Sequence, residues 1–258
     1  MKEELPAYLA MLNPEQRKAV FHEGNPLLIL AGAGSGKTRV ITTKIAYLIR
    51  ERLYDPRSIM AVTFTNKAAR EMALRARLID ERAELAMMKT FHSFGAWFLR
   101  RHGTLAGLNS NFVIYDDDDV VSLLGIILDD LPKVELRELA GLISRAKDYF
   151  LSPDDPDLDL LDHRPKFRRI YALYEERLKK IGNADFGDLI KKPVEILRDH
   201  PDLARRIRER FQVIMVDEYQ DSNVAQFRLL CELKGKQAYL CVVGDDDQSI
   251  YRFRGAEV

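Results

Sequence analysis

The chain has 258 residues, 47% of them hydrophobic and 31% charged, and its 40 Lys+Arg are matched by 40 Asp+Glu. That length holds one large domain or two small ones around a real core, and a net charge of zero excludes a global electrostatic pull toward nucleic acid, leaving local patches and stacking. Two cysteines, Cys231 and Cys241, support neither a disulfide framework nor a zinc site, and without an 18-residue apolar run or a signal peptide the expectation is a soluble cytoplasmic protein with no membrane partner.

Asn13-Pro14-Glu15-Gln16 reads as a helix start: Asn13 caps, Pro14 suits the first turn and Gln16 completes a capping box. The Gln16 amide, with a donor and an acceptor, equally suits recognition of an adenine edge, and both readings stand. Leu27–Leu30 is an apolar strand that ends in a Gly-rich turn of Ala31, Gly32, Ala33, Gly34, Ser35 and Gly36. Lys37, Thr38 and a helical pattern over Arg39–Arg50 follow. Glycines let successive N–H groups curl toward one anion, and the helix start adds free N–H groups and a positive dipole end. Lys37 can then reach the β- and γ-phosphates of a nucleotide such as ATP, and the Thr38 hydroxyl can hold Mg²⁺. The usual phosphate-loop pattern begins with Gly where this chain has Ala31. Arg39 can stack its guanidinium on a base or simply face water.

Ser58–Thr65 reads as a second strand and Asn66–Leu78 as a helix. Phe64, at the end of that strand, is either a core residue or a platform on which a base stacks. Leu85–Lys89 is a third strand candidate that runs into Thr90-Phe91-His92-Ser93 and a helix rich in aromatics. Thr90 and His92 can donate to a nucleic-acid phosphate, although a His in this place is also a common helix cap. From about 108 to 206 strand signals vanish and helices are expected over Val120–Leu128, Leu136–Tyr149, Phe167–Ile181 and Phe186–Leu197. Asp116–Asp119 reads as a set of acidic residues at a helix N-terminus, in preference to a metal site. Strands return at Phe211–Val216, leading into Asp217-Glu218, and at Gln237–Val243, leading into Asp245 and Gln248.

Both late strands end in carboxylates, which belong at the C-terminal edge of a parallel sheet, where the phosphate loop also lies. Asp217 would hold Mg²⁺ and Glu218 would accept the proton of an attacking water. Lys37 and Asp217 are 180 residues apart, too far for simple crossovers. The expected fold is therefore α/β, a phosphate-loop nucleotide-binding domain with a parallel sheet, made of 1–107 plus 207–258 and interrupted by an all-helical insertion over 108–206.

In this order, LNPEQRKAV (12–20), AGAGSGKTRV (31–40), AVTFTNKAAREM (61–72), TFHSF (90–94), VDEYQDSN (216–223) and VVGDDDQSIYRFRGA (242–256) resemble the UvrD/Rep/PcrA-type superfamily 1 DNA helicases, with a weaker match in NADFGDLI (183–190). Ala31 is ordinary in that family. The resemblance implies a RecA-like motor that uses ATP and Mg²⁺ to walk 3′ to 5′ along single-stranded DNA and open duplex junctions. By position, Gln16 would read adenine with Arg39 stacked near it, and Lys37 and Thr38 would serve phosphate and metal. Asp217 and Glu218 would be metal and base residues, and Gln248 would touch the γ-phosphate. Phe64, Thr90, His92, Tyr251, Phe253 and Arg254 would line the DNA track, Phe253 standing where a Trp is common.

The resemblance also implies a second RecA-like domain that brings arginines to the γ-phosphate, so the chain reads as the N-terminal portion of a larger repair or replication helicase whose partner is a C-terminal motor domain. Two other classes compete: a non-motor module that binds nucleotide and DNA without doing work, and another phosphate-loop phosphoryl-transfer enzyme such as a small-molecule kinase. An arginine finger is worth roughly 10³–10⁵ in rate. The 258 residues by themselves are therefore expected to bind ATP, hydrolyse it very slowly and unwind nothing. Steady-state ATPase with and without single-stranded DNA, together with strand displacement, measures this; turnover of roughly tens per second would contradict it.

Overall fold

The computed structural model describes residues 5–32, 34–162 and 165–245. Along the chain it contains α1 (Ala7–Ala10), α2 (Pro14–Phe21), β1 (Leu27–Leu30), α3 (Lys37–Arg50), β2 (Ile59–Thr63), α4 (Asn66–Ile79), β3 (Met87–Thr90) and α5 (Phe91–His102). Then come β4 (Ile114–Tyr115), α6 (Asp117–Ile127), α7 (Lys133–Asp148), α8 (Pro165–Ile181), β5 (Ala184–Asp185), α9 (Asp188–Asp199) and α10 (Pro201–Arg210). β6 (Val213–Val216), α11 (Val224–Leu233) and β7 (Tyr239–Gly244) complete the described part.

Five strands form one sheet in the order β1-β7-β6-β2-β3, and every pairing is parallel. Parallel strands are buried on both faces, which is why β2 and β6 read as unbroken apolar runs. Ile59, Ala61, Val213, Met215, Cys241 and Val243 face α3 and α4. Met60, Val62, Ile214 and Val216 face the opposite way, onto Phe94 and Phe98 of α5 and onto α9, α10 and α11. The second helical layer does not cover β1, where Leu28 and Leu30 remain 60% and 57% exposed.

The stretch between β3 and β6 falls into two packing groups. Helices α6, α7 and α8 close a separate core around Leu124, Ile143, Phe167, Tyr171 and Tyr174. Helices α9 and α10 instead contribute Leu189, Val194 and Ile207 to the core of the main sheet. Asp116 caps α6 in a capping box with Asp119, as the acidic run predicts. Strands do occur here, contrary to expectation: β4 and β5 pair in parallel, Ile114 with Ala184 and Tyr115 with Asp185. Two residues have no periodicity to read. The helix expected from Phe186 begins at Asp188, so Phe186 stands free of it in a turn.

Two residues explain how α5 and α9 come so close. Pro193 lies inside α9 and has no N–H, so the carbonyl of Leu189, four residues earlier, lacks its helical donor. That carbonyl faces Gly95 of α5, where a Cβ would lie 1.8 Å from the Leu189 oxygen. Only a glycine fits. Gly95→Ala is expected to force α5 and α9 apart at a cost of roughly 1–3 kcal/mol or more, visible as a lower midpoint in urea unfolding, whereas Ala at the open position Gly141 should leave it unchanged or raise it.

Candidate functional site

Parallel register brings the ends of β1, β7, β6 and β2 to one edge of the sheet. Leu30 lies beside Gly244, Val216 beside Val242, and Val62 beside Val216. The residues that follow these strands, Ala31, Asp245, Asp217 and Phe64, therefore share one rim, the edge at which open parallel sheets bind ligands.

The loop after β1 is tied to this rim by Ala31 N–H, which donates to the Gly244 carbonyl at 3.1 Å. Gly34 and Gly36 adopt φ of +74° and +89°, a region that other residues enter at a cost. Gly36 ends the loop as the N-cap of α3, so Lys37, Thr38 and Arg39 are the first three residues of that helix and their N–H groups lack helical partners. Thr38 is half-buried and Arg39 is exposed. Gln16 makes both bonds of the capping box on α2 with Asn13, and its Nε2 also donates to the Ser35 carbonyl at 2.8 Å. A Cβ on Gly36 would meet that same nitrogen at 2.8 Å. Gln16 thus braces the loop, a role its position in the sequence does not reveal.

Lys44 fixes α2 in turn. Its buried ammonium donates to the carbonyls of Ala19, Val20 and His22 at the end of α2, at 3.0, 3.0 and 2.6 Å. Burial pulls this group down to about 8. A cleft of about 380 Å³ opens along β1, bounded by Asn13, Gln16, Leu28, Ser35 and Lys37, within the size range of small-molecule sites.

Lys37 is buried at the rim. Its ammonium donates to the Ala31 carbonyl at 2.9 Å and to Asp245 at 3.2 Å, with Glu218 at 3.8 Å. The Asp217 carboxylate accepts from Glu218 N–H at 3.1 Å. Burial, then the adjacent Glu218, pushes Asp217 up to about 6, against smaller opposing effects of that hydrogen bond and of Lys37. Glu218 adopts φ 52°, ψ 45°, a left-handed conformation that a β-carbon makes costly. Gln220 holds it there: its Nε2 donates to the Glu218 carboxylate at 2.8 Å and its Oε1 accepts from Asp245 N–H at 3.0 Å. Glu218 and Asp245 thus pair with the Lys37 ammonium, while Asp217 lies beside them and resists ionisation.

The second group of expected residues lies where β2 and β3 end. Phe64 is half-buried, its ring 6.2 Å from Phe91 in an edge-on arrangement. The Thr90 hydroxyl accepts from Ser93 N–H and donates to the Ser93 hydroxyl, so it caps α5 in this structure. His92 is half-buried and packs against Phe186, the ring centres 4.6 Å apart and the planes inclined by 35°. Phe186, 55% exposed, is a residue that the helical reading of its segment concealed. The signals in the sequence are the small Gly187 after it and its place in the family-like stretch NADFGDLI (183–190). Ala33, Gln248, Tyr251, Phe253 and Arg254 lie outside the described residues.

A parallel sheet whose first strand ends in a Gly-rich loop and helix N-terminus, with carboxylates on neighbouring strand ends, defines a phosphate-loop nucleotide-binding domain of the RecA-like α/β class. Residues 12–258 match the family model of the UvrD/REP helicase N-terminal domain, and the chain belongs to that family. It is 45% identical to the ATP-dependent DNA helicase UvrD1 of Mycobacterium tuberculosis, over 96% of this chain and 34% of that protein. Against the ATP-dependent DNA helicase PcrA of Staphylococcus aureus identity is 42%, over 98% of this chain and 35% of that protein. The chain spans about a third of the length of these curated relatives. Among the described residues no helix is long and apolar enough to cross a membrane.

Asp217 yields a pH test in metal-free buffer. Its value of about 6 lies above the 3.8 of an unfolded chain, so its contribution to stability is full only below that lower value and is lost as pH rises through 6. Asp217→Asn removes that loss while keeping an acceptor for Glu218 N–H. The wild type is expected to fall behind the variant in thermal melts between pH 4 and 7, by on the order of 2–3 kcal/mol. Parallel curves would remove the buried-carboxylate account.

Proposed function

We propose that the chain is the N-terminal, ATP- and single-stranded-DNA-binding portion of an ATP-dependent 3′–5′ DNA helicase of the cytoplasm. The observation that carries this reading is the meeting of Lys37, Asp217, Glu218 and Asp245 beside the Gly-rich loop at one edge of the sheet. The names of the relatives, ATP-dependent DNA helicases, support it.

In this reading the glycine turns and the N-terminus of α3 cradle the phosphates. Lys37 leaves Asp245 for the β- and γ-phosphates, and Gln16 and Arg39 flank the base. Thr38 and Asp217 would hold Mg²⁺, which supplies charge neutralisation on the phosphates when bound. Glu218, held by Gln220, takes the proton from the attacking water, and Gln248 senses the γ-phosphate. Phe64, His92, Tyr251, Phe253 and Arg254 contact single-stranded DNA, Phe186 extends the platform beside His92, and Thr90 positions His92 as the cap of α5. The division into a discontinuous motor domain and an insertion over 108–206 is part of the proposal: α6–α8 form its independent core, and α9 and α10 anchor it to the sheet. Duplex junctions and a C-terminal motor domain are the partners this role requires.

Lys37→Ala should reduce affinity for Mg²⁺·ATP by at least about tenfold, the loss of one charge-assisted contact of roughly 1.5–3 kcal/mol, in isothermal titration. Affinity for an oligo-dT strand should change much less. Unchanged ATP affinity in a folded Lys37→Ala protein would remove the basis of the reading.

A further inference from the structure

The last two residues of α7, Lys147 and Asp148, have no part in the chemistry above, yet each makes a specific bond to one of its two halves. Lys147 is 1% exposed. Its ammonium lies 2.6 Å from Asp185, 2.8 Å from Asp188 and 2.7 Å from Glu175, carboxylates on β5, α9 and α8. It donates hydrogen bonds to Asp185 and Asp188, and Glu175 completes the set as an ion-pair partner. These carboxylates are close enough together to hold a metal ion, but the Lys147 ammonium sits among them. Burial alone would lower this amine; Asp185, Asp188 and Glu175 outweigh it and hold the group well above its usual value.

What Lys147 holds is a turn. Asp188 N–H donates back to Asp185 Oδ1 at 2.9 Å, closing Asp185-Phe186-Gly187-Asp188. Tyr174 hydroxyl donates to Asp185 at 2.9 Å. The Lys147 stem fills the space beside Gly187, where a Cβ would lie 2.7 Å from Lys147 Cβ and Cδ. With both ends of the turn bound and its glycine packed, Phe186 is presented outward against His92. On the neighbouring residue, Asp148 Oδ1 accepts from the Asn223 amide at 2.7 Å. Asn223 is the capping-box N-cap of α11 and ends the segment that carries Asp217, Glu218 and Gln220.

We infer that Lys147 and Asp148 are positioning residues that join the Phe186–His92 platform to the 217–223 segment, so that occupation of the nucleotide site is transmitted to the aromatic pair through the end of α7. The inference rests on the proposed nucleotide site. Two hydrogen-bonded ends on adjacent residues of a rigid helix move together, and neither bond needs the other for its own geometry.

The test uses the 258-residue protein, the probe AMP-PNP·Mg²⁺ and a fluorescein-labelled dT16 strand. The ring proton signals of His92, assigned by their disappearance in His92→Gln, report the Phe186 ring directly. In the wild type AMP-PNP·Mg²⁺ is expected to shift them. In Asp148→Ala that response should vanish while AMP-PNP affinity stays within about threefold, and Asp148→Asn, which retains the acceptor, should restore it. The factor by which AMP-PNP·Mg²⁺ changes dT16 affinity, typically about 5–150 for coupled sites, should collapse toward one in Asp148→Ala and return in Asp148→Asn. Lys147→Met, if it folds, should lower dT16 affinity by the same factor as Phe186→Ala, and the double variant should lose no more than either alone. His92 signals that ignore bound nucleotide in the wild type, or that respond equally in Asp148→Ala, would overturn the inference. A wild type whose His92 signals respond through Asp148 but which does not bind dT16 would leave the coupling standing and overturn the single-strand reading instead.

Discussion

An all-parallel sheet imposes two conditions at once: every strand needs a crossover, and both faces need cover. Here they are met by placing β6 and β7, the last strands of the described chain, between β1 and β2. That insertion brings Asp217 and Asp245 to the loop that bears Lys37. Without it the carboxylates and the lysine would not share one edge, and the covering layer of α5, α9, α10 and α11 would lose Ile214 and Val216 from the face it buries. The site is a product of strand order more than of any single motif.

Electrostatics then sets the state of that site. Two carboxylates, Glu218 and Asp245, share the Lys37 ammonium, and burial resists the charge on Asp217 beside them. Salt screens exposed charges at this range but acts weakly on buried ones. Lys37 turns inward to Ala31 and Asp245, and Glu218, in a left-handed conformation, is held by Gln220. In the proposed nucleotide-binding role, a phosphate that drew Lys37 away would leave Glu218 and Asp245 with less compensation and would favour a cation arriving with the anion.

The sequence made the phosphate loop, the two carboxylate-ending strands, the acidic cap of α6 and the helical stretch before β6 readable, because each has a local signature: glycines before Gly-Lys-Thr, apolar runs of strand length, an N-terminal acidic run, helical periodicity. What escaped depends on partners far away in the chain. Gly95 looks like a weak point in α5 until the Leu189 carbonyl is seen against it, and that carbonyl lacks a helical donor because of Pro193. Phe186 continues a helical pattern, and only the pairing of β5 with β4 and the grip of Lys147 remove it from the helix. Gln16 makes the capping box that its spacing predicts and braces the loop with the same side chain, and only the second role, a bond to Ser35, could not be read from spacing.

The separation of α6–α8 from the main core bears on how such a molecule could act. A helical unit with its own apolar centre can change position without unpacking the sheet, provided its links to the sheet are few and directional. The bonds of Lys147 and Asp148 at the end of α7 are of this kind, short and oriented, whereas α9 and α10 belong to the core of the sheet. Burying a lysine among carboxylates is a poor way to gain stability, since a well-packed apolar group often does as well. Its physical advantage is direction. An ammonium hydrogen-bonded to Asp185 and Asp188 at the two ends of the turn fixes the arrangement that carries Phe186, and an apolar residue in its place would tolerate several.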